Sequence, residues 1–175
     1  MTLTELASVG SFISGIAVVV TLALLLLQMR QTNRNQKALI QQGRSTKVIA
    51  GGLRQSELEM SEICIRATQA DTAMTAAEIN AFVSFGSAMF WTFEDSFLQH
   101  QAGLLDTPGW EADVATLRAF LTSPAYRAAW KMSRHMQKGA YRDFIDALIR
   151  DVKVIQPYDL PAVWNALIAE ELAAA

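Results

Sequence analysis

One cysteine and two histidines are all that this chain of 175 residues offers to thiol or imidazole chemistry. The lone thiol, Cys64, excludes an intramolecular disulfide, and its place between Ile63 and Ile65 fits an inert, buried group in a reducing compartment. His100 and His135 belong to no HxxxH or ExxH pair, the spacing that puts two metal ligands on one helical face. GxGxxG, P-loop, GxSxG and CxxC sequences are also missing, which removes the common signatures of nucleotide binding, acyl transfer and dithiol chemistry. No run alternates apolar and polar residues between turn signals, so strands are not expected.

The longest absence is one of charge. From Leu6 to Met29 the chain reads LASVGSFISGIAVVVTLALLLLQM. About 24 residues at about 1.5 Å each span roughly 36 Å as a helix, enough to cross a hydrocarbon core of about 30 Å. Helix is the form that satisfies the backbone of a lone segment in lipid. A secretory signal peptide would carry a basic start, a shorter apolar run and a small-residue cleavage site, whereas this segment begins MTLTELAS and runs into LLLLQMR, so it is expected to be retained.

Its flanks differ sharply. Glu5 is the only charged residue before it, whereas Arg30, Arg34, Lys37, Arg44, Lys47 and Arg54 follow with no acid among them. The positive-inside rule then sets residues 1–5 outside, residues 6–29 across the membrane, residues 30–55 as a basic juxtamembrane neck and residues 56–175 as a cytoplasmic domain. In bacterial terms this is an inner-membrane protein. From Glu57 onward nine basic residues face sixteen acidic ones, so a basic neck carries an acidic head. Arg30, Arg34, Lys37, Arg44 and Lys47 are expected to lie against anionic headgroups. Nucleic acid is a poorer partner, because these charges are spread out and lack interleaved aromatics.

Within the apolar run, Ala7, Ser11, Ser14, Val18, Thr21, Leu25 and Gln28 share one seam, with Gly15 beside it, and bulky Phe12, Ile13, Ile16, Val19 and Val20 lie opposite. Small and hydroxyl residues let helix backbones approach, so the seam is read as an oligomer contact and the bulky side as lipid-facing. The alternative is a small oligomeric channel lined by the same stripe.

After the neck, a bend is expected at Gly51–Gly52. Ser56 with Glu59, and Thr75 with Glu78, have capping-box form, and Thr75 opens the longest soluble helix, with Ile79, Phe82, Gly86, Met89, Phe93 and Phe97 on one face and Gly103 at its end. Thr107–Pro108 and Ser123–Pro124 read as two further helix starts. Gly139 marks a turn before a helix from about Tyr141 to Val154. Pro157 and Pro161 bracket another turn, beyond which Leu160, Trp164, Leu167 and Ile168 are expected to face inward. The fold class is therefore all-α: one transmembrane helix continuing into a neck, then an irregular antiparallel helical bundle.

The stretches LQMRQTNRNQKAL, FWTFEDSFLQHQAGLLD and YRDFIDALI, together with Trp110 and the run from Pro124 to Trp130, resemble a group of uncharacterised bacterial single-span membrane proteins. The resemblance implies an anchor plus a helical cytoplasmic domain and brings no activity or catalytic residues.

Glu94, among Phe90, Trp91, Phe93 and Phe97, is the carboxylate best placed for acid–base work. The simpler expectation is a structural ion pair with Arg127 or Arg134. A site joining Glu94, His100 and His135 would make an enzyme or metal protein. The reading adopted is non-enzymatic, with no catalytic, cofactor or metal residues: a self-associating scaffold, or an accessory subunit bound to a partner membrane protein.

Overall fold

A computed structural model describes residues 3–155 and 159–174, and every regular element among them is helical. The helices are α1 (Leu3–Ser56), α2 (Leu58–Thr68), α3 (Ala76–Gln101), α4 (Thr107–Phe120), α5 (Pro124–Ser133), α6 (Gly139–Asp151) and α7 (Leu160–Ala173), with a 3₁₀ turn at Arg134–Met136. The chain divides into two units, Met1–Gly43 and Arg44–Ala175.

In the first unit every described side chain from Gly10 to Leu39 is exposed. This part of α1 is long and apolar enough to cross a membrane, with a mean hydropathy of 2.4 over its most apolar stretch and none of that stretch buried. A soluble protein's core helix of the same composition would be covered by its neighbours.

The second unit begins inside α1, so the neck read as residues 30–55 is not one piece: its final part belongs to the head. The expected bend at Gly51–Gly52 does not form, since α1 runs through both glycines to Ser56. Each glycine weakens a helix by about 1 kcal/mol but supplies no competing hydrogen bond to end it. Ser56 does not cap α2 either. Its hydroxyl bonds back to Leu53 O (2.8 Å), and Glu57 takes the N-cap position with its carboxylate paired to Arg54 rather than capping the helix.

The Thr75–Glu78 capping box is present in full and starts α3, which ends where Gly103 adopts a φ of +69°. Two apolar clusters lie along α3. Phe82 packs with Met60, Ile63, Cys64 and Ala67 of α2 and with Tyr126 and Ala129 of α5. Further along, Phe90 joins Leu117 and Leu121 from the α4 segment, Trp130 of α5, and Tyr141, Ile145 and Leu148 of α6. Each large side chain so buried contributes about 1.5–3 kcal/mol. Between the clusters sits Gly86, where an added Cβ would lie 3.2 Å from Ala129 Cβ. Ile79, expected on the same face, is exposed.

Helix starts elsewhere shift by a residue or two. Asp106, not Thr107, caps α4, accepting from Gly109 N–H (3.0 Å), and Pro108 falls within the first turn. Gly139 is the first residue of α6 rather than the turn before it. Pro157 lies outside the described residues. Asp159 caps α7 and Pro161 sits in its first turn. Leu160, Trp164, Leu167 and Ile168 do not face inward, and Trp164 is 63% exposed.

Candidate functional site

Ser11, Ser14, Gly15, Val18, Thr21 and Gln28 are exposed along α1, and Ala7 lies in the same helix with its side chain outside those described. Thr21 Oγ1 bonds to Ala17 O (2.8 Å), so that hydroxyl is already satisfied within its own helix. Ser11 and Gly15 also border a shallow groove whose other walls are Phe12, Ile16, Val19 and Val20.

Of the basic residues assigned to the membrane surface, Arg30, Arg34 and Lys37 are exposed. Arg44 and Lys47 require a correction, because both are engaged by the acidic head. Arg44 Nη2 donates to Asp113 Oδ2 (2.6 Å) with the two side chains 14% and 16% exposed, and its Nε donates to the buried Ser96 hydroxyl (3.3 Å). Lys47 Nζ reaches Asp95 Oδ2 (2.6 Å) at a wetter spot. Partners 48 to 69 positions away carry no local sequence signal, so in the sequence these two residues look like the rest of the basic run that follows the apolar helix.

Glu94 does not pair with either expected arginine. Its Oε1 accepts from the Lys138 backbone N–H (2.7 Å), at the residue that caps α6. With the Gln137 amide turned so that its nitrogen faces the carboxylate, Gln137 donates to Glu94 Oε2 (3.0 Å) and accepts from Trp91 Nε1. A negative charge at a helix N-terminus also complements the helix dipole. Arg127 instead donates to Leu121 O and Val152 O, and Arg134 pairs with Asp146, which also accepts from Trp130 Nε1 (2.8 Å). His100 stacks on Trp110 with ring centroids 5.3 Å apart and its Nδ1 lies 3.4 Å from Leu105 O, while His135 is exposed in the 3₁₀ turn. Among the described residues no three His, Cys, Asp or Glu side chains gather where they could hold a metal ion.

The head has one feature that sequence spacing did not point to, a cavity of about 390 Å³. Its walls come from α2 (Cys64, Ile65), the α4–α5 corner (Phe120, Ser123), α5 (Tyr126) and the first residue of α7, Leu160. Burial pushes the Cys64 thiol up from its ordinary value, and the Tyr126 phenol rises far above its own through burial and then through Cys64. Both groups are therefore neutral at physiological pH. Ser123 occupies the N-cap position of α5, yet its hydroxyl caps nothing and is buried without a partner. The Ser–Pro pair announced a helix start; nothing in it announced a hydroxyl left over from capping.

At the neighbouring α2–α3 corner, the Ala73 backbone N–H and then Arg66 hold the Asp71 carboxyl below its ordinary value, and Thr75 followed by Arg66 does the same for Glu78. These groups latch α2 to α3 and are spent on structure. Comparison of the chain with family models, curated proteins and solved structures gives no match in any of the three.

Proposed function

We propose that this is a non-enzymatic, membrane-anchored helical protein that associates with copies of itself through α1 and presents its head in the cytoplasm as an interaction module. The observation that carries the reading is the uncovered apolar part of α1, charge-free from Leu6 to Met29 and followed by the exposed cations Arg30, Arg34 and Lys37. Water does not tolerate so long an apolar surface, whereas lipid and a second helix do. The polar groups most suggestive of chemistry, Glu94 and His100, are occupied in holding α6 and stacking on Trp110. Exposed apolar residues along α7 support a role in contacts between proteins.

The test uses the full chain in a mild non-ionic detergent, with its assembled mass measured by light scattering. Ser14→Leu adds bulk at the seam, while Ile16→Leu alters only the opposite side, and both substitutions keep or raise hydrophobicity. The wild type and Ile16→Leu are expected to run as the same oligomer, with Ser14→Leu shifted to smaller species. A monomeric wild type, or equal behaviour of the two variants, would defeat association through the seam.

A further inference from the structure

We propose that the cavity beside Cys64 is a binding site for a small uncharged molecule with an apolar body and one hydrogen-bonding group. Its volume, about 390 Å³, falls within the range of about 300–1,000 Å³ common for small-molecule sites. Among the described residues, none of the thirteen that line it is charged. A charged ligand would lose its hydration and gain no counter-ion, a cost of several kcal/mol, so the site selects against ions. Ile65, Phe120, Tyr126 and Leu160 supply apolar and aromatic walls for the body of the ligand.

The hydrogen-bonding group is assigned to Ser123. A serine at an N-cap ordinarily gives its oxygen to the first turn of the helix, and a buried hydroxyl ordinarily finds a partner. The Ser123 hydroxyl does neither. By contrast, the Thr68 and Thr122 hydroxyls on the same wall bond to backbone carbonyls of Cys64 and Ala119. Ser123 thus brings to this wall a buried hydroxyl that neither capping nor any other contact within the protein uses. The proposal is independent of the membrane reading, since every wall belongs to the second unit.

Cys64 supplies the test. As the chain's sole thiol, it reports on the cavity without interference from other sites. Full-length protein in lipid nanodiscs is alkylated with N-ethylmaleimide, and the rate is read from intact mass, with and without N-phenyl-1-naphthylamine, an uncharged aromatic probe carrying a single N–H. Occupancy should slow alkylation by about tenfold at a probe concentration about ten times its dissociation constant. Ala119→Phe, which fills the cavity from an exposed position on α4, should alkylate slowly and gain no further protection from the probe. Ser123→Ala removes a hydroxyl that caps nothing, so it should leave the fold intact and weaken protection by about fivefold. An unchanged wild-type rate up to the solubility limit of the probe overturns the site. Equal protection of wild type and Ala119→Phe overturns it as well, by placing the probe elsewhere. Full protection retained in Ser123→Ala overturns the assignment of the hydroxyl.

Discussion

The close approach of α3 and α5 at Gly86 can be tested by moving one methyl group across the contact. Gly86 is buried, and a Cβ there would lie 3.2 Å from Ala129 Cβ, against about 3.5–4.0 Å for comfortable carbon contacts. Both carbons are fixed directly to helix backbones, so no rotamer relieves the clash and the helices must move apart. Gly86→Ala gains about 1 kcal/mol of helix propensity and loses about 2 kcal/mol to overpacking, a net loss of about 1. Ala129→Gly forfeits about 1 kcal/mol of propensity and about 0.8 kcal/mol of methyl burial, a loss of about 2. The double variant restores one methyl to the same gap from the other helix and should fall within about 0.5 kcal/mol of the wild type, giving a coupling of about 2.5 kcal/mol, typical of residues in contact. Urea unfolding of the full chain in detergent micelles, followed by tryptophan fluorescence, measures all four stabilities. A double variant as weak as the sum of its parents would refute the close approach.

Two further outcomes concern the polar contacts. Arg44→Ala leaves Asp113 and Ser96 without their cation in a sheltered place and should cost the head about 2 kcal/mol, whereas Lys47→Ala, which breaks an exposed pair, should cost about 0.5 kcal/mol or less, both read by the same urea titration. Glu94→Gln keeps an acceptor for Lys138 N–H but sets one amide nitrogen against that of Gln137, so a loss of about 1 kcal/mol is expected, and Glu94→Leu, which leaves both donors unmet, should lose about 2; a Glu94→Leu head as stable as the wild type would remove the carboxylate from the support of α6.

The start of α3 and its place at the centre of the head were legible because they rest on local rules. Thr75 and Glu78 are three residues apart, and a capping box needs nothing else. Phe82, Gly86, Met89, Phe93 and Phe97 recur at the helical period, and packing kept Phe82 and Gly86 buried and the other three partly covered. What escaped depends on partners distant in the chain. The charge on Arg44 is visible in the sequence, but its use is not, because Asp113 comes within reach only after α1, α3 and α4 have formed and packed. Glu94 stands out as a carboxylate among aromatics, and the natural guess is an arginine. The acceptor was used instead by a backbone N–H at the start of another helix, a donor that every residue but proline carries and that no sequence pattern distinguishes. The cavity escaped for a related reason: it is the space left where α2, the α4–α5 corner and the start of α7 fail to close, and no spacing in the sequence encodes a space.

Helix α7 shows how periodicity can mislead. Leu160, Trp164, Leu167 and Ile168 satisfy the i, i+4, i+7, i+8 template, yet all four are exposed. The template selects one face only when the other faces are polar. Here Val163 and Leu172 are exposed as well, and alanines fill much of the rest, leaving Asn165, Glu170 and Glu171 as the polar residues between Leu160 and Ala173. A helix apolar on most sides is the composition of one enclosed by neighbours rather than laid along a single surface. Within this chain only its first residue contributes to the cavity wall. The remaining apolar surface is what a head built to meet other proteins would keep uncovered, and its two glutamates, near the end of the helix, disfavour an anionic lipid surface as the alternative cover.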